Sequence, residues 1–107
     1  MITYTDFQKL EIRIGTIESA NRIAGADRLL KLIIDFADEK RQILAGIAEF
    51  YPEIESLVGK QVPVLVNLEP RTMRGLESQG MILTADVDGA AVLLHPDKEI
   101  PAGSGVR

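Results

Sequence analysis

The chain has 107 residues, 46% of them hydrophobic, with 12 Lys+Arg against 16 Asp+Glu and a formal net charge of -4. That length suits a single domain, residues 1–107, large enough to fold without a staple, and the lack of cysteine excludes a disulfide scaffold, a thiolate-bound metal and a cysteine nucleophile. A pI of about 4.9 argues against the basic footprint usual in nucleic-acid binders, an objection that any candidate site must answer.

The N-terminal Met1-Ile2-Thr3-Tyr4-Thr5-Asp6 has no basic n-region and no apolar h-region. No apolar stretch approaches the ~18 residues of a membrane span. The expected setting is the cytoplasm, with no membrane partner. Leu10, Ile12 and Ile14 alternate with Glu11 and Arg13, the period of a half-buried strand, and Ile17 then has the wrong parity. Gly15 stands where the register shifts, so a bulge or sharp bend is expected there. Leu30, Leu32, Ile34 and Phe36 share one face of a second strand, and Asp38-Glu39-Lys40-Arg41 turns it into a third through Ile43, Ala45 and Ile47.

Pro52 to Val58 reads as a short helix stopped by Gly59. Lys60–Val66 makes a fourth strand. Pro63 requires that strand to lie at an edge or to turn that backbone position outward. Asn67–Gln79 is polar and reads as irregular. Met81-Ile82-Leu83 and Ala91-Val92-Leu93-Leu94 then form a hairpin around Asp88-Gly89, and the C-terminus is extended. Five or six short strands with one helix between the third and fourth predict an all-β, five-stranded OB-type Greek-key barrel.

Little here supports catalysis. His95 is the only histidine, no glycine-rich phosphate loop or nucleophile elbow is present, and Asp86-Val87-Asp88-Gly89 fits a turn better than a calcium loop. No enzyme activity, metal or cofactor is expected. The segment Asn67–Met81 is richer. Arg71 and Arg74 offer forked cationic donors, and Asn67, Ser78 and Gln79 offer neutral hydrogen bonds, the groups a sugar-phosphate surface needs. A surface loop joining two barrel strands is the plain alternative.

These residues resemble the signature of the tRNA-binding domain family, an OB fold that includes the C-terminal domain of methionyl-tRNA synthetase, stand-alone structure-specific tRNA-binding proteins and export-related chaperones. The resemblance runs nearly the length of the chain. It is carried by Asp6-Phe7 with Glu11-Ile12-Arg13-Ile14-Gly15, by Ala26–Leu32, by Arg41–Ala48, and by Pro96-Asp97-Lys98 with Pro101–Ser104. It implies a non-catalytic, shape-selective tRNA-binding module, either homodimeric or serving methionyl-tRNA synthetase as an auxiliary subunit. The alternative it implies is a chaperone-like peptide-binding dimer.

By position, the resemblance marks Lys31 and Arg41 as phosphate contacts, Asn67, Ser78 and Gln79 as polar contacts, and Arg71 and Arg74 as cationic ones. Met81 stands either at the site's edge or in the core, and Arg28 is either a contact or a surface partner of Asp27. The chain departs from the family where Glu69 replaces a frequent basic residue and Thr72 a frequent lysine. Glu69 and Glu77 leave Asn67–Met81 formally neutral. Phe7 with Leu10, and Val92-Leu93-Leu94, are candidate faces for a second copy.

Overall fold

The computed structural model describes all of residues 1–107. Its first element is one that strand periodicity does not announce. Thr3 and Asp6 form a reciprocal capping box on a single helical turn, α1 (Tyr4–Phe7). The rest is short strands: β1 (Ile12–Ile23), β2 (Ala26–Asp35), β3 (Lys40–Ala45), β4 (Gln61–Leu65), β5 (Arg71–Met73), β6 (Leu76–Ser78), β7 (Met81–Ile82), β8 (Thr84–Val87), β9 (Ala90–Leu93) and β10 (Gly105–Val106). The main sheet runs β3-β2-β1-β4-β7, with β10 added to β1, and β5-β6 and β8-β9 are separate hairpins. The fold is all-β and OB-like, as the pattern predicts, but no continuous hydrogen-bond ladder closes the barrel.

Period-two patterning in β2 sends Leu30, Leu32 and Ile34, with Phe36 beyond its end, into the core, all fully buried. They meet Ile17, Ile43, Val62, Val64 and Leu57 there. Each such side chain is worth about 1.5–3 kcal/mol when withdrawn from water. Pairing of β1 with β4 passes through Gly15 without a slip, opposite Val62, and the β1–β2 register shifts instead between Ile17 and Ser19. Gly15 is thus not the bulge. A Cβ there would strike Ile34 Cγ2 and lie 2.8 Å from Phe36 Cε1, so the glycine serves close packing. The parity change has another cause: β1 is covered on both faces. Ile12 and Ile14 are buried yet lie outside the main core cluster, while Ile17 lies within it.

Other expectations shift in detail. The helix between the third and fourth strands is a pair of 3-10 turns, Ala48–Phe50 and Ile54–Leu57; only one residue in each is buried, too little to anchor an α-helix. Pro63 is interior to the sheet. Ile14 opposite it directs its N–H to Ser104 O and its C=O to the Gly103 N–H, so the missing proline donor breaks no bond to β1. The Asp88-Gly89 turn is correct, but it joins β8 to β9, and Met81-Ile82 belongs to the main sheet against β4.

The stretch expected to be irregular is a hairpin, with Arg71 opposite Ser78 and Met73 opposite Leu76. Its turn residues, Arg74 (φ 53) and Gly75 (φ 78), both have positive φ, the signature of a type I′ turn. This hairpin lies across the open seam between β3 and β7.

Candidate nucleic-acid interface

Side chains of the β5-β6 segment close the seam that the ladders leave open. The Leu44 N–H donates to Ser78 Oγ at 3.0 Å, and that hydroxyl donates to Gly80 O at 2.9 Å. The Gln42 N–H donates to Gln79 Oε1 at 3.0 Å, the Gln79 N–H returns to Gln42 O at 2.8 Å, and Gln42 Nε2 reaches Glu77 O at 2.9 Å. Ser78 is buried, so its hydroxyl is a structural clasp. Gln79 is exposed and retains its side-chain amide donors for a ligand.

Two more of the expected contacts are committed elsewhere. Asn67 Oδ1 accepts from the Glu11 N–H at 2.9 Å and its Nδ2 donates to Lys9 O at 2.7 Å, tying the lead-in to β1 against the end of β4. Arg41 directs Nε and Nη2 to the Glu39 carboxylate at 2.8 and 3.2 Å, and Nη1 to Val66 O and Gln79 O at 2.6 and 3.1 Å. That occupies four of its five donors and neutralises its charge.

Lys31, Arg71 and Arg74 are different, because no carboxylate of the chain lies within ion-pair distance of any of them. Lys31 is half-buried on the outer face of β2, directly across from Leu44 of β3. Arg71 and Arg74 are exposed on the hairpin. The formal neutrality of the segment overstates the cancellation: Glu77 pairs with Thr72, on the opposite hairpin face from Arg71 and Ser78. Arg28, by contrast, pairs with Glu49 at 3.0 Å rather than with Asp27.

Met81 is exposed rather than core. With Leu29, Leu44, Met73 and Arg71 it lines a groove of about 330 Å³, and an adjoining cleft that shares Leu44, Arg71, Met73 and Met81 is bordered by Glu69. Sequence reading missed the lining residues Leu44 and Met73: Met73 lies in a stretch that reads as irregular, and Leu44 lies on the β3 face opposite Ile43 and Ala45, where nothing local says what it borders. It also missed Gln42.

Away from the groove, several acidic groups are engaged within the fold. Arg13 donates to Gly103 O at 3.1 Å and to Asp38 Oδ1 at 2.9 Å, and its guanidinium sits 5.3 Å from the Phe36 ring centroid. That hydrogen bond holds the Asp38 carboxyl below its ordinary pKa. The Glu18 carboxylate accepts from Lys40 and pushes the ammonium above its usual value. His95 Nδ1 lies 2.8 Å from Gln61 O, a carbonyl that must accept, so this nitrogen carries the proton. Asp86 Oδ1 accepts from the Gly89 N–H at 2.8 Å, fixing the turn, and no three His, Cys, Asp or Glu residues gather as a metal site.

A family model described as "Putative tRNA binding domain" matches residues 12–105. The chain belongs to that family. Among relatives of this tRNA-binding domain, methionine–tRNA ligase of Methanothrix thermoacetophila is 55% identical over 107 residues, all of this chain but 16% of that protein. The enzyme of the same name from Enterococcus faecalis is 46% identical over 98% of the chain, again covering 16% of the relative. The chain thus spans about a sixth of these curated relatives.

Several solved structures match along the whole chain, among them the following two. A MetRS-related protein from Pyrococcus horikoshii has a TM-score of 0.94 at 36% identity, covering 100% of this chain and 98% of the other. The chaperone CsaA of Bacillus anthracis has a TM-score of 0.89 at 32% identity, covering 100% and 99%. The tRNA-binding domain is a non-catalytic module, carried both within synthetases and in short free-standing proteins. None of its helices is long and apolar enough to cross a membrane.

Proposed function

We propose that residues 1–107 act as one shape-selective tRNA-binding domain in the cytoplasm, either as a homodimer or as an auxiliary part of methionyl-tRNA synthetase. Lys31, Arg71 and Arg74 meet phosphates, Gln79 supplies a neutral contact, and Met81 borders the site. Arg41, Asn67 and Ser78 act indirectly, by holding the hairpin and the strand ends. The observation that carries this reading is that Lys31, Arg71 and Arg74, all without an ion-pair partner in the chain, stand around the β3–β7 seam. It also answers the charge objection, since a net charge averages over faces that the RNA never touches.

The homodimer reading draws on a second surface. Tyr4, Phe7, Leu10, Ile12 and Val106 line a groove of about 430 Å³ between α1 and β10. Met1, Ile2, Tyr4 and Leu10 are well exposed. A two-fold arrangement through this face would present two weak RNA sites at once. The chaperone-like alternative is favoured by one observation, the apolar lining of the groove beside Arg71, which suits the side chains of an unfolded polypeptide.

Titration of tRNA at several salt concentrations tests the proposal. With three phosphates met per subunit, log affinity should fall against log salt with a slope of roughly -2 to -3. Replacing both arginines (Arg71→Ala/Arg74→Ala) should weaken binding and flatten that slope by about 2. Unchanged affinity and slope in the double variant would refute the assignment of the hairpin.

A further inference from the structure

The groove beside Arg71 is apolar where a phosphate surface has no use for apolarity. Met73, Met81, Leu29 and Leu44 form its wall, Thr84 adds a hydroxyl, and Arg71 stands at the rim. Water-exposed apolar lining at a binding face marks contact with something apolar. The charge distribution narrows what that is. Arg71 has no ion-pair partner and no carboxylate lines this groove, Glu69 bordering only the adjoining cleft, so an occupant with an anionic group beside its apolar part would satisfy the free guanidinium.

A volume of about 330 Å³ is at the lower end for small-molecule sites and too small for a duplex. The two methionines present thioethers, which make favourable contacts with aromatic rings and adapt to their shape. Gly46 lies in the same wall with open space where a side chain would stand, so a flat group can approach the backbone.

We infer that this groove takes one unpaired nucleobase of the bound RNA, seated between Met73 and Met81, while Arg71 meets the phosphate of the same nucleotide. The inference rests on the tRNA-binding reading and deepens it. Recognition would then require, besides backbone shape, a nucleotide turned out of its stack, as single-stranded positions in loops provide. No base identity is selected by such a wall, because every base has a π-face.

The test compares a base-bearing single-stranded RNA hexamer with an abasic hexamer of the same length and charge, using tRNA as a parallel ligand for the full chain. Wild-type protein should bind the base-bearing hexamer at least about fivefold more tightly, the low end for one base contact. Met81→Lys alters an exposed position and adds a positive charge, so a purely electrostatic site would bind RNA better. A base-holding groove would instead lose its preference for the base-bearing hexamer, in a variant whose thermal melt shows it folded.

Equal binding of the two hexamers by wild type, with tRNA still bound, would overturn the inference and leave the tRNA reading standing. Loss of all three ligands would overturn both. Retention of the preference in Met81→Lys would also overturn it. So would displacement of the hexamers by a leucine-rich peptide together with no preference for bases, which would assign the groove to polypeptide.

Discussion

Ser78→Ala separates a clasp from a contact. Ser78 is 4% exposed and its hydroxyl satisfies two main-chain groups, the Leu44 N–H and the Gly80 C=O. Alanine fills nearly the same space, so the cost is one of polar satisfaction rather than of a cavity. The Leu44 N–H, in a residue only 6% exposed, would be left without an acceptor, a loss of about 1–3 kcal/mol. The carbonyl, with two lone pairs, adds less.

A net destabilisation of about 2 kcal/mol follows, or roughly 8–16 °C in Tm for a domain of this size. Urea unfolding should show a lower midpoint with an unchanged slope. Affinity for tRNA, measured well below the new midpoint, should stay at the wild-type value because the hydroxyl does not face solvent. A stability within about 0.5 kcal/mol of wild type, the range of an ordinary surface change, combined with lost tRNA binding would refute this reasoning and return Ser78 to the role of an RNA contact.

Gly15→Ala should cost about 1–3 kcal/mol by overpacking against Ile34 and Phe36, and urea unfolding at wild-type stability would contradict that. Asp38 has a folded-state pKa lowered by the Arg13 hydrogen bond, so its stabilisation is present above the ordinary carboxylate value near 4 and disappears as pH falls through the lower folded value. The stability gap between wild type and Asp38→Asn should therefore be constant near neutrality and shrink below about pH 4; an equal gap at both ends would argue against the pairing. Leu10→Glu, at an exposed position of the groove between α1 and β10, should shift sedimentation from dimer to monomer without lowering Tm in the monomer. A wild-type monomer at micromolar concentration would remove that interface.

Strand periodicity located β2 and β3 well because each has one face wholly in the core, and alternation is then imposed residue by residue. It failed at β1, whose two faces are both covered, so that Ile12, Ile14 and Ile17 are all buried without any bulge at Gly15. The α1 turn was legible in principle: Thr3 and Asp6 stand at capping-box spacing, but a single turn carries no periodicity to draw attention to it. The Arg74-Gly75 hairpin was masked because arginine is not a residue that turn chemistry leads one to expect at positive φ.

In the site, residue type pointed to the right segment and not to the division of labour within it. Asn67, Ser78 and Arg41 have the donors that a sugar-phosphate backbone needs, and the fold engages them with main-chain groups 25 to 58 positions away. Such pairings depend on strand register across the barrel, which no local pattern encodes. Arg13, read as part of a polar strand face, lies against Phe36 for the same reason.

Two of the chain's tight turns make an instructive pair. Asp88-Gly89 is a favoured pair for its geometry, with Asp86 bonded to it as reinforcement. Arg74-Gly75 has the same backbone shape and places a long cationic side chain where glycine or asparagine would be relaxed, at a strain on the order of 1 kcal/mol. Selecting variants at position 74 for thermal resistance should therefore enrich asparagine and glycine, while selecting them for RNA retention should return arginine. The same codon would be pulled in opposite directions by durability and by use.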